Sequence, residues 1–112
     1  MKLNDEERLG VLVVHVAMPR IDAMWASAFK EEIAARIEKG HHRLVLDLSD
    51  VDFVDSSGLG ALVACLKRVG PLGTIAIVGT KGVVSKLFTL TKMDRVFPLY
   101  DTVDAAIEHM SA

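Results

Sequence analysis

Two adjacent serines head a helical pattern in the stretch DVDFVDSSGLGALVACLKRVG, residues 50–70, and they are the first candidates for chemistry. Three uses suit a hydroxyl there: capping the helix, attacking an electrophile, or accepting a phosphate. A serine ahead of a helix accepts a hydrogen bond from a free backbone N–H, typically ~1 kcal/mol. On local sequence alone capping is the stronger reading, yet it accounts for one serine and not for two followed by a glycine. Nucleophilic catalysis fits poorly. A serine hydrolase holds its nucleophile on a sharp turn, usually G-x-S-x-G, whereas Val54 and Asp55 stand two residues before Ser56 and Ser57. Neither the His41–His42 pair nor His109 falls where that pattern would put a general base.

Other constellations are weaker. GLGALV offers G-x-G without the third glycine of a dinucleotide fingerprint, and GTKG lacks the remaining features of a phosphate-binding loop. Asp47, Asp50, Asp52 and Asp55 do not follow the spacing of a calcium loop, whose sixth position is glycine. Acidic residues in a strand-to-helix loop usually solvate it or complement the next helix dipole. A phosphoryl-receiving aspartate domain would place an acidic pair after the first strand, where this chain reads AMPRID. Met18, Met24, Met93 and Trp25 are read as core filler, with Trp25 alternatively an exposed anchor. No catalytic residue, cofactor or metal ligand is assigned.

The elements that must position the serines follow from hydropathy. GVLVVHVA (10–17) is β-branched and reads as a buried strand, ended by Pro19, with RID as a loop. From Ala23 to Lys39 the pattern turns helical, with Trp25, Phe29, Ile33 and Ile37 at i+4 spacing and a Lys39–Gly40 stop. RLVLDL (43–48) is a second strand. A helix from Ser57 to Val69 faces Leu59, Leu62, Val63 and Leu66 inward, and TIAIVG (74–79) is a third strand. Gly82–Leu90 is helical on Val84, Leu87 and Phe88. RVFPLY (95–100) reads as a last strand at a sheet edge, because of Pro98. DTVDAAIEHM closes the chain as a helix capped by Asp101 or Thr102. Strands alternating with helices predict an α/β domain with a mixed, mostly parallel sheet of four to five strands and about four helices. In such folds the loops at the carboxyl ends of strands carry function, and the serine pair follows one of those ends.

Composition bounds the partners. The chain's 112 residues fit one domain, read as residues 1–112, and 51% hydrophobic residues suffice for a core. Its 13 basic and 15 acidic residues give a net charge of -2 with no long block of either sign, which argues against nucleic acid. Cys65 is alone, so no internal disulfide forms, and it reads as a buried reduced thiol. MKLNDEERLG has no apolar stretch resembling a signal peptide, and no run is long enough to span a bilayer. A cytoplasmic location without membrane insertion is expected.

Phosphorylation is the sharper reading of the serines. A helix N-terminus favours an added anion by about 0.3–1 kcal/mol, so a phosphate on Ser56 need not unfold the domain. It brings about -1.5 to -2 charges beside Asp55. Against an acidic group about 5 Å away on a docked partner, each charge pair costs roughly 3 kcal/mol at a dielectric of 20. The outcome is a binding switch with little change in fold.

LVLDLSDVDFVDSSGLGALVACLKRV (44–69) resembles the signature of STAS domains, the family of bacterial anti-sigma factor antagonists. GVLVVHVAMPRID resembles the family's first strand and its aspartate-ending loop, and VSKLFTLTKMDRVFPLYDTVDAAI its closing helix, strand and helix. The resemblance implies that the first serine of D-S-S-G, Ser56, is phosphorylated by an anti-sigma factor with a histidine-kinase-like serine kinase domain. A PP2C-type phosphatase would reverse it. The unphosphorylated form would bind the anti-sigma factor and free its target. Asp22, Asp55, Ser57, Gly58 and Leu59 would line the contact surface, with Gly60 serving close packing or backbone freedom. The chain would be a monomer or weak homodimer and not an enzyme. Pro19 stands where the family loop often carries glycine, so its fixed φ predicts a different loop path. STAS domains also serve as subunits of assemblies such as lipid ABC transporters, where serine phosphorylation need not operate.

Overall fold

The computed structural model describes residues 2–111. Its first strand, β1 (Leu3–Arg8), lies in a segment where no element was expected. The residues LNDEER are nearly all polar, so hydropathy gives no signal. Pairing is set instead by the two-residue turn at Leu9 and Gly10, both at positive φ (52° and 79°), as a type I′ hairpin requires. β1 therefore runs antiparallel to β2 (Val11–Val16), from Leu3 opposite Val16 to Arg8 opposite Val11. Charged side chains on this edge discourage pairing with another sheet.

The remaining strands are parallel. β3 (Arg20–Ile21) is followed by α1 (Ala26–Glu38), β4 (Arg43–Asp47), β5 (Phe53–Val54) and α2 (Ser56–Val69). Then come β6 (Thr74–Val78), α3 (Gly82–Leu90), a 3-10 turn (Met93–Arg95), β7 (Leu99–Tyr100) and α4 (Val103–Met110). The main sheet has the order β1-β2-β4-β6-β7, so β7 with its preceding Pro98 is an edge, as expected. Alternation divides the core. Leu12, Val14, Leu44, Leu46, Ile75 and Ile77 pack under α1, α2 and α3, while Val11, Val13, Val45, Ala76 and Val78 pack under α4.

Several boundaries and faces differ from the sequence reading. RID is not a plain loop: Arg20–Ile21 pairs in parallel with Phe53–Val54 as a separate two-stranded ribbon. The Pro19 carbonyl accepts the Asp52 N–H at 2.8 Å and the Phe53 N–H at 3.2 Å, so proline serves the ribbon by its acceptor and its missing donor costs nothing. The strand expected over 95–100 is confined to Leu99–Tyr100, because Phe97 turns into the core behind the 3-10 turn. Met24, expected in the core, is 78% exposed, whereas Trp25 packs against the core as expected. Thr102 is the cap of α4, accepting the Ala105 N–H at 3.1 Å. The buried face of α2 is rotated. Gly58, Ala61, Leu62, Cys65 and Val69 are buried, while Leu59, Val63 and Leu66 are only half-buried. Small residues at 58 and 61 draw this helix close to its neighbours, which turns the larger aliphatics toward its flanks.

Candidate functional site

The mouth of α2 is built by the β3–β5 ribbon. Ile21 and Val54 are register partners, so the residues that follow them, Asp22 and Asp55, emerge side by side. Asp55 is the N-cap of α2. One carboxylate oxygen accepts the Gly58 N–H at 2.9 Å, and the other accepts the Ala23 N–H at 3.1 Å from the loop entering α1. The capping task assigned to a serine by local sequence thus belongs to the aspartate before the pair. Ser56 and Ser57 are both exposed at the start of the helix.

The two hydroxyls serve different flanks. Ser56 lies in a shallow groove of about 350 Å³ with Leu59, Gly60, Val63 and Met93. Ser57 lies in a smaller one, about 190 Å³, with Ala26, Ser27 and Lys30 of the α1 side. Adjacent positions on a helix diverge by about 100°, so a modification at one serine addresses a different surface from a modification at its neighbour.

The two glycines of the helix mouth differ in burial. Gly58, which the resemblance places at the contact surface, is buried, and a Cβ built there would sit 2.0 Å from the Ile21 carbonyl oxygen. Only glycine permits that approach of α2 to the ribbon. Gly60, expected to serve close packing or backbone freedom, is exposed within α2, has nothing within 4 Å of its notional Cβ and takes no positive φ. Leu59 is half-buried, with one side available to the groove.

Asp22 is near the patch but largely spoken for. Its carboxylate accepts from Arg20 Nε at 3.0 Å and from the Met24 N–H at 3.2 Å, and its side chain is 20% exposed. The Arg20 hydrogen bond, helped by the Met24 N–H, holds its pKa below the ordinary carboxylate value. Arg20 also lies 4.3 Å above the centre of the Phe53 ring, bracing both strands of the ribbon.

A second polar cluster lies at the carboxyl ends of β2 and β4. His15 Nδ1 and an Asp47 oxygen are 2.8 Å apart, Glu6 approaches His15 Nε2 at 3.5 Å, and the other Asp47 oxygen accepts the Ser49 N–H at 3.0 Å. Burial penalises the charged imidazole, but the hydrogen bonds to Asp47 and Glu6 and their charges outweigh it, leaving the His15 pKa raised. Burial likewise opposes ionisation of Asp47, yet the Ser49 and His15 hydrogen bonds lower its pKa. Among the described residues no group of three His, Cys, Asp or Glu side chains could hold a metal ion. Cys65 is buried, and burial pushes its thiol up to about 11.

The ribbon, the aspartate cap and the serine pair at the head of α2 stand together in one small α/β domain. The STAS domain model matches residues 2–106, and the chain belongs to the STAS domain family. Anti-sigma-F factor antagonist RsfB of Mycobacterium tuberculosis is 31% identical, with 88% of this chain aligned to 80% of that protein. A crystal structure of an anti-sigma factor antagonist from Mycobacterium paratuberculosis superposes with a TM-score of 0.87 at 33% identity, covering 96% of this chain and 92% of that one. A relative from Thermotoga maritima is 36% identical over 75 residues, an alignment spanning 66% of each chain.

Proposed function

We propose that this chain is an anti-sigma factor antagonist whose affinity for its partner is switched by phosphorylation of Ser56. The observation that carries the reading is the cap: Asp55 satisfies the Gly58 N–H, which leaves the neighbouring hydroxyls exposed. In the forward reaction Ser56 Oγ attacks the γ-phosphorus of ATP held by a partner serine kinase. An O–P bond forms, the bond to ADP breaks, and the hydroxyl proton leaves to a base of the kinase. A PP2C-type phosphatase hydrolyses the ester. The chain supplies the accepting oxygen and no catalytic group, and we assign it to the cytoplasm.

The added charge has small local consequences. The phosphate sits in the first turn of α2, where the helix dipole favours an anion by about 0.3–1 kcal/mol and partly offsets repulsion from Asp55. At a docked interface the balance reverses, since a dianion must be desolvated without a partner. Ser57, Leu59 and the backbone around Asp22 form the remainder of the docking patch. Asp55 shapes the patch by holding Ala23 and Gly58 in place.

Incubation with the cognate kinase and ATP, followed by mass spectrometry of the digested chain, should place the phosphate on Ser56. Ser56→Ala should remove the label and retain binding, and Ser56→Asp should weaken binding. A label confined to Ser57, or a Ser56→Ala chain that is still labelled, refutes the assignment. Copurification with a transporter ATPase in place of the kinase would favour an assembly role.

A further inference from the structure

Charge is unevenly distributed along the sequence, although no long block of one sign occurs. Residues 56–97 hold six cations, Lys67, Arg68, Lys81, Lys86, Lys92 and Arg95, against the single carboxylate of Asp94, a net +5. The rest of the chain therefore carries -7, which restores the total of -2. Arg68 is paired with Glu38. Lys67, Lys92 and Arg95 meet no carboxylate within salt-bridge distance among the described residues.

Lys67 lines one end of an apolar groove whose wall also includes Met93, the chain neighbour of Lys92 and two residues from Arg95. It runs beside α2 from Ser56 to Lys67 and is lined between them by Leu59, Val63, Ala64 and Met93. The eleven rises from Ser56 to Lys67 span about 16 Å, room for roughly three turns of a second helix. Met93 opens the turn that Lys92 caps and Arg95 ends, and Leu90 and Val96 beside that turn are 80% and 42% exposed.

We propose that this groove receives an acidic amphipathic helix of the partner, its apolar stripe on Leu59, Val63 and Met93 and its carboxylates toward Lys67, Lys92 and Arg95. The proposal rests on reading the Ser56 surface as the docking patch and names the chemistry of what docks there. Amphipathic helices seat in grooves by apolar anchors at i, i+3 and i+7, and Leu59 and Val63, one turn apart on α2, form with Met93 the apolar wall such anchors need. Complementary charge supplies orientation and a fast, salt-sensitive association. Nucleic acid would find no aromatic side chain in the groove on which to stack a base. A lipid surface is flat and would not reach the half-buried floor. The proposal also accounts for the sign of the switch: a phosphate at the Ser56 end puts like charge in front of an acidic ligand.

The test needs no kinase, so its failure is separable from failure of the phosphorylation reading. A phage-displayed library of 16-residue amphipathic helices with randomised polar faces is selected on the full chain, and winning peptides are titrated by NMR. Expected winners are rich in Asp and Glu, perturb the amides of Leu59, Val63 and Met93, and lose about fivefold or more in affinity against Lys67→Glu or Arg95→Glu. Lys67→Gln and Arg95→Gln, with unchanged thermal unfolding, should lose less. Basic or neutral winners, perturbation of another surface, or no winner overturns the proposal. So does equal perturbation of the same amides by phosphatidylglycerol vesicles or single-stranded DNA.

Discussion

Two polar clusters occupy the carboxyl ends of parallel strands, and they use their polar groups in opposite ways. At the ends of β2 and β4, His15, Asp47, Glu6 and the Ser49 N–H satisfy one another, so the cluster is closed. At the end of β5, Asp55 spends both oxygens on backbone N–H groups and leaves Ser56 and Ser57 open to solvent. The lesson concerns which residue is available. A carboxylate that completes the backbone is architecture, and the hydroxyl beside it is the group a partner can reach.

The comparison is broken most forcefully at Gly58. Gly58→Ala forces a methyl against the Ile21 carbonyl, 2.0 Å from its ideal position, and should cost ~3 kcal/mol or more, seen as a fall in chemical-denaturation midpoint. Asp55→Ala removes the cap and the tie to Ala23, and about 2 kcal/mol of stability is expected to go with them. At Gly60 the same chemical change as at Gly58 has the opposite sign. Gly60→Ala enters open space on a helix and should stabilise by about 0.5–1 kcal/mol.

The closed cluster predicts a pH effect. The His15 pKa is raised on folding, so its contribution is complete below the ordinary histidine value of about 6.5 and fades as pH rises through the folded value. Thermal unfolding between about pH 6 and 8.5 should therefore show a decline that His15→Gln flattens. An unchanged pH slope in that variant would show the imidazole to be uncoupled from folding. The smallest effect belongs to the open cluster: Ser56→Ala should alter stability by under ~0.5 kcal/mol, since its hydroxyl is exposed and the cap is elsewhere.

The βα crossovers were legible in the sequence because each buried strand reads as a short β-branched run between helical stripes. The serine pair was legible through its position at a strand-to-helix junction and its resemblance to a known signature. Three features were not. β1 is a polar edge strand whose register comes from positive φ at Leu9 and Gly10, which hydropathy cannot report. The β3–β5 ribbon has two residues per strand, below any periodicity. The division of labour between Asp55 and the serines, and between Gly58 and Gly60, depends on which face of α2 meets Ile21. That is a tertiary fact, and small residues at 58 and 61 are its only local trace.

The central claim is tested most directly by titrating the anti-sigma partner with two preparations of this chain, one unmodified and one carrying phosphoserine at position 56. The account predicts tight binding of the first and a loss of at least about a hundredfold for the second, equivalent to ~3 kcal/mol, with both preparations equally folded. Equal affinities would contradict it.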